Sequence, residues 1–320
     1  MKFGSLFFAM TSNLHITING EIPPFDLCLP VSQDSPFVFA SPHSGRNYPL
    51  RLFELSYLEP KVLRRSEDAY VDWLFSCVPK LGATLIKANF PRVYIDLNRA
   101  PFELDQTMFN DDIPNYALTK TERVQDGYGC IPKIVTSGLD IYKDKLSYKT
   151  EHDRFKNIYS PYHDCLKAVL GKTHEKFGKA VLIDCHSMPS QGTNPLFRLN
   201  RLKLLKQSKN QSSPDIVLGD RFGTSCSSKI TSALRTIFLN KGYSVLINDP
   251  YSGGYCTTHY GKPNRGYHAI QIEINRRLYL NEKAVKLKES KTTKLMYDLE
   301  DIIQEILQLE LAPQEAQAAE

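Results

Sequence analysis

VLIDCHSMPS, residues 181–190, runs from an unbroken aliphatic segment straight into polar residues. Val181, Leu182 and Ile183 lack the polar alternation of a strand with one wet face, so the segment reads as a strand covered on both sides. Asp184 and His186 appear where the run closes, and alternate residues of a strand share a face, so the two point to the same side. A lone histidine there ordinarily caps the strand or hydrogen-bonds locally. To ligate a metal it needs further ligands converging from elsewhere in the chain.

Similar runs recur on either side of it: PFVFASPH (36–43), ATLIKANF (83–90), RVYIDLN (92–98), DIVLGD (215–220), YSVLIND (243–249) and HAIQIEI (268–274). Between them lie helix-like stretches. SEDAYVDWLFSCVPKLG (66–82) offers Ser66 as N-cap, acids in a first turn, Val71, Leu74, Phe75 and Val78 on one face, and Gly82 as terminator. Others span about 153–177, 221–241 and 284–310. Strands alternating with helices predict one α/β domain with a mixed, mostly parallel central sheet and helices on both faces. In such sheets ligands bind beyond the carboxyl ends of the strands. The domain is expected over 21–311, after an N-terminal extension (1–20) and before a polar tail (312–320).

The net charge of +5 is local. Residues 196–213 carry Arg198, Arg201, Lys203, Lys206 and Lys209 and no acid, and removing those five charges leaves the rest near neutrality. A solvated basic insertion explains this better than a nucleic-acid-binding face, so no nucleic-acid partner is expected. No segment approaches the roughly 18 apolar residues of a membrane span. The seven cysteines show no C-x-x-C spacing and several lie in apolar runs, which suits buried thiols in a reducing, cytoplasmic setting.

The chemistry concentrates where apolar runs meet polar residues. His43 follows FVFASP, as His186 follows VLIDC, and a carboxylate would complete a two-histidine, one-carboxylate metal site with an open water position. Glu67 and Asp68 are the candidates, Asp68 first and Glu67 as the alternative; acids opening a helix are equally explained by the helix dipole, at about 0.3–1 kcal/mol. Asp184 could orient an imidazole. Glu273 lies inside AIQIEI, where burying a carboxylate is costly unless something pairs with it or uses it. It shares a face with Gln271, a candidate substrate contact, and with Asn275, opposite Ile270, Ile272 and Ile274; the competing explanation is a sheet edge with one wet face. Arg46, Arg92 and Arg99 supply planar guanidinium groups suited to a substrate carboxylate or an oxyanion, although Arg99 with Asp96 could equally be a structural ion pair. Gly253 and Gly254 give the backbone freedom of a flap, which carries His259 as a possible substrate contact. No nucleotide-binding glycine pattern is present.

Taken together, SPHSGRNYP, SEDAYVDWLF, FPRVYIDLNRAPFELD, LIDCHSMPS, PDIVLGDRFG, NDPYSGGY and HAIQIEINRRLYLNE resemble, in order, the N-formylglutamate amidohydrolase family, over about residues 36–282. The resemblance implies a carboxypeptidase-like and aspartoacylase-like zinc hydrolase fold. It implies one zinc ion held by His43, Asp68 and His186, with Glu273 as general base. Arg92 or the metal would stabilise the oxyanion, and Asn98 with Arg99 would hold the substrate carboxylate. The substrate implied is a small N-acyl amino acid, N-formyl-L-glutamate giving formate and L-glutamate, the last step of one route of histidine degradation. One departure is visible: carboxypeptidase-like enzymes take two ligands from His-x-x-Glu, whereas Arg46 stands three residues after His43. Two alternatives stay open, a deacylase or carboxypeptidase-like hydrolase with another acyl group or amino acid, and a non-catalytic binder of small carboxylates.

Overall fold

The strand that opens at Ala180 continues through Met188, and all its residues are buried. The structure, a computed structural model, describes residues 15–17, 22–135, 138–190 and 213–310. The basic stretch 196–213, apart from Ser213, and the tail 312–320 lie outside the described residues, as does most of the 1–20 extension. Of that extension, β1 (His15–Thr17) pairs in parallel with β4 (Asn47–Pro49).

The central sheet has seven strands in the order β2 (Phe25–Cys28), β5 (Thr84–Ala88), β3 (Phe37–Ser41), β6 (Ala180–Met188), β9 (Tyr267–Asn275), β7 (Ile216–Gly219) and β8 (Val245–Ile247). The pairs β3–β5, β3–β6, β6–β9 and β7–β8 are parallel, while β2–β5 and β7–β9 are antiparallel. The sheet is therefore mixed and mostly parallel, as the unbroken apolar runs predict.

Strand parity sorts the core into two layers. Phe37, Phe39, Val181, Ile183, Ile270, Ile272 and Ile274 pack with the helices Ser228–Asn240 and Glu289–Leu307 on one face. Val38, Ala40, Leu182 and Ala269 pack with the helix Ser160–Phe177 on the other. Each face is covered, so neither needs a polar exterior.

Two expected elements are built differently. RVYIDLN is not a strand: residues 92–98 form turns after Pro91. Their polar groups pair outside the sheet, Asp96 N with Cys130 O, Tyr94 O with Arg154, and Leu97 O with His163. These tertiary partners override the β propensity of Val93, Tyr94 and Ile95. The helix expected from Ser66 starts only at Val71, after Tyr70 in the left-handed region, and runs to Leu74; a 3-10 turn, Val78–Leu81, follows, closed at Gly82 with φ +94°. Glu67 and Asp68 therefore precede the helix, and its dipole does not explain them.

Candidate metal and catalytic site

β3, β6 and β9 lie side by side in the centre of the sheet, and their polar residues line up across it. Ala40 is the register partner of Asp184, so the loop beyond Ser41 brings His43 alongside His186. His186 in turn is the partner of Glu273. Because β9 is interior, flanked by β6 and β7, the polar face of Gln271, Glu273 and Asn275 is no wet edge; all three are buried.

His43, Asp68 and His186 converge, with one ligand atom from each within 4.8 Å of the others. Asp68 Oδ2 lies 2.8 Å from Nδ1 of His186 and 3.4 Å from Nδ1 of His43. The opposite ring nitrogens face other carboxylates: His43 Nε2 is 2.7 Å from Asp96 Oδ1, and His186 Nε2 is 2.9 Å from Asp184 Oδ2. A carboxylate behind each imidazole favours the proton on Nε2 and turns the Nδ1 lone pair to the centre, the arrangement of a metal-binding histidine. His43 Nδ1 is buried and has no hydrogen-bond partner, a costly state for a polar atom that a cation would relieve. Two imidazole nitrogens and one carboxylate oxygen suit a divalent transition ion. The donor set therefore fits a metal.

The electrostatics agree. Burial opposes the charge on Asp68, but the neighbouring His186 and His43 outweigh it and hold the carboxyl well below the usual carboxylate range. Asp96 is likewise held low against burial by Arg92, His43 and Arg99. Glu273 moves the other way: burial, with Asp68 adding to it, pushes its carboxyl up to about 7, while His186, Arg276 and Arg92 pull against the rise. A carboxyl group that exchanges its proton near neutrality is suited to acid–base work.

Glu67, the alternative carboxylate, stands outside the cluster. It accepts from Tyr48 Oη at 2.7 Å and from Arg64 Nε at 3.0 Å. The amide of Asn98 is engaged behind His186: Nδ2 lies 3.0 Å from Asp184 Oδ2 and 3.0 Å from His186 Nε2, and Oδ1 accepts from Cys256 N. Arg99 donates to the carbonyls of Tyr128 and Asn98 and stands 3.9 Å from Asp96. Arg46 grips Asp72 through two hydrogen bonds, at 3.1 and 2.9 Å. Gln271 donates to Glu273 Oε1 at 2.7 Å. His259 is exposed and stacks on Tyr255. Arg92 is different. It binds Asp96 Oδ2 at 2.7 Å, and its charge is felt by both Asp68 and Glu273.

Arg276 is the residue that sequence reasoning missed. It sits one position past β9, buried, and its Nη2 donates to Asp68 Oδ1 at 2.9 Å and to Glu67 O at 2.6 Å, while Nε reaches Ser187 Oγ at 3.1 Å. One Asp68 oxygen is thus fixed by Arg276 and the other is left for the histidines. The signal available was an Arg-Arg pair ending a strand whose polar face carries Gln271, Glu273 and Asn275, which strand parity alone does not resolve.

The model of the N-formylglutamate amidohydrolase family matches residues 35–280, and with it every residue of the cluster. The chain belongs to the N-formylglutamate amidohydrolase family. It is 28% identical over 253 residues to the N-formylglutamate deformylase of Pseudomonas putida, covering 77% of this chain and 82% of that protein. Identity to the enzyme of the same name from Pseudomonas aeruginosa is 27%, over 78% and 84% of the two chains. A crystal structure of an N-formylglutamate amidohydrolase from Ralstonia eutropha JMP134 superposes with a TM-score of 0.80 at 35% identity, over 89% of this chain and 98% of that one. A gene product of Agrobacterium tumefaciens shares the fold, with a TM-score of 0.61 at 16% identity, over 89% and 95% of the chains. This family member is thus an amidohydrolase, and no helix among its described residues is long and apolar enough to cross a membrane.

Proposed function

We propose that this amidohydrolase hydrolyses N-formyl-L-glutamate to formate and L-glutamate, using one zinc ion. The observation that carries the proposal is the convergence of His43, Asp68 and His186 beside a buried Glu273 whose carboxyl titrates near 7. The names of the relatives supply the substrate.

His43 and His186 through Nδ1, with Asp68 through Oδ2, would hold the ion. When bound, zinc lowers the pKa of water from 15.7 to about 7 and polarises a carbonyl. Glu273, ionised above its raised pKa, accepts a proton from the attacking water, and the protonated carboxyl then donates it to the departing amine nitrogen. Gln271 orients the carboxylate for both transfers. Arg92, held by Asp96 and facing Glu273 and Asp68, is the cation placed to meet a substrate carboxylate or the developing oxyanion. Arg276 keeps Asp68 aligned, and Asp96 and Asp184 set the histidine tautomers.

The test is formate release by the zinc-loaded protein from N-formyl-L-glutamate, compared with its N-acetyl and N-succinyl analogues and with other N-formyl amino acids. The highest kcat/KM is expected with N-formyl-L-glutamate; preference for another acyl group or amino acid would overturn the assignment.

A further inference from the structure

The backbone of residues 254–256 touches both halves of the site. Gly254 N donates to Gln271 Oε1 at 3.0 Å, and Gln271 Nε2 donates onward to Glu273 Oε1 at 2.7 Å. Two residues along, Cys256 N donates to Asn98 Oδ1 at 2.7 Å. With Oδ1 fixed as the acceptor of a backbone N–H, the Asn98 amide has one orientation, and its NH2 donates to Asp184 Oδ2 beside the His186 ring. Asp184 Oδ2 can accept from both Asn98 Nδ2 and His186 Nε2, which leaves the Nδ1 lone pair of His186 directed at the ligand cluster.

Gly254 makes the contact tight. A Cβ there would lie 2.6 Å from both Asn98 Nδ2 and Asn98 Oδ1, whereas any residue can adopt its backbone angles, φ −100° and ψ −156°. The glycine is required by space alone, because the Asn98 amide packs flat against its Cα. The stretch expected to act as a flap is thus tied to the metal-facing side through Asn98 and to the base through Gln271.

We propose that Gly254–Cys256 is a positioning clamp, one backbone segment that sets the orientation of His186 through Asn98 and of Glu273 through Gln271, so that ligand and base are aligned to each other. The proposal rests on the functional reading above for its roles. Asn98 and Gln271 are positioning residues, replacing the substrate-binding roles expected of them from sequence.

The test compares zinc affinity, by competition with a chromophoric chelator, and kcat and KM for N-formyl-L-glutamate in the wild type, Gly254→Ala, Asn98→Ala, the double variant and Gln271→Leu. Gly254→Ala and Asn98→Ala are each expected to weaken zinc binding by about 10- to 100-fold, the range seen when a group orienting a metal ligand is lost. The double variant is expected to bind zinc no more weakly than Asn98→Ala alone, because the alanine methyl then has no amide to displace. Gln271→Leu is expected to keep wild-type zinc affinity and KM while losing at least about ten-fold in kcat. Wild-type zinc affinity in Gly254→Ala, losses that add in full in the double variant, or wild-type kcat in Gln271→Leu would each overturn the clamp. If the zinc-bound wild type leaves N-formyl-L-glutamate intact, the functional reading fails by itself, and the zinc-affinity comparison of the Gly254 and Asn98 variants still decides the clamp.

Discussion

His186 and Glu273 are register partners on adjacent parallel strands at the centre of the sheet. Both side chains are buried, among Asp68, Asp184, Asn98 and Gln271, and so are shielded from water. That shielding raises the carboxyl pKa of Glu273, and it gives the nearby Asp68, Asp96 and Arg276 their electrostatic reach.

Replacing Glu273 with Gln is expected to lower kcat by about 10²–10⁴-fold, the usual worth of a general base, while bound zinc stays at the wild-type level. Steady-state kinetics paired with elemental analysis of the same preparations check this.

The same substitution has a signed effect on stability. Between the ordinary carboxyl value of 4.5 and about 7, folded Glu273 holds a proton that the unfolded chain has released. The stability it contributes is full below 4.5 and is lost as pH rises through 7. In metal-free protein, Glu273→Gln is therefore expected to gain on the wild type as pH rises, by on the order of 2–3 kcal/mol at pH 8. Thermal unfolding of both proteins at pH 4.5 and pH 8 should show the gap only at the higher pH.

Glu67 and Asp68 should separate cleanly. Asp68→Ala, like His43→Ala and His186→Ala, is expected to abolish stoichiometric zinc. Glu67→Ala is expected to keep zinc but lose about 1–3 kcal/mol of stability, because buried Tyr48 Oη and the Arg64 guanidinium lose their acceptor. Zinc content and urea unfolding distinguish the two outcomes.

Arg276→Lys is expected to weaken zinc binding about 10- to 100-fold despite the retained charge. A single ammonium cannot reproduce a guanidinium that reaches Ser187, Glu67 O and Asp68 at once. Chelator competition measures it, and wild-type affinity in the lysine variant would remove Arg276 from the support of Asp68.

His163 supplies an acid-sensitive element. Burial lowers its pKa to about 4 from 6.5, in a setting where Nε2 meets Leu97 O and Nδ1 meets Tyr260 Oη. Below 6.5 the unfolded chain takes up a proton that the folded protein refuses until about 4, so stability falls across that window as pH drops. His163→Gln is expected to be less stable than the wild type at pH 8 and to show a shallower decline of Tm between pH 6.5 and pH 4, measured by calorimetry.

The sheet was legible because its strands are apolar on both faces, a pattern that leaves few alternatives for residues 180–188 or 267–275. Parity along one strand also placed Asp184 with His186, and Gln271 with Glu273. Legibility stopped where groups distant in sequence compete for one polar atom. The strand-like composition of residues 92–98 gave way to side-chain and backbone partners contributed by His163, Arg154 and Cys130. The Asn98 amide, a reasonable grip for a carboxylate by residue type, is engaged behind His186 by Cys256 N, 158 positions away. Arg46 and Arg99 were chosen for their charge, and their partners in the fold are Asp72 and the carbonyls of Tyr128 and Asn98.

From the sequence alone came the layered α/β architecture, the strand faces that carry His186 and Glu273, and the presence of His43 and an acidic pair near them. These follow from periodicity and from the cost of burying a charge, both of which are local properties of a chain. Only the tertiary structure decided that Asp68 and not Glu67 faces the histidines, that Arg276 holds it there, and that Asn98 and Gln271 turn toward the backbone of residues 254–256. The physical reason is saturation: a carboxylate or amide has few hydrogen-bonding positions, and which neighbour occupies each one is settled by distances that exist only after folding.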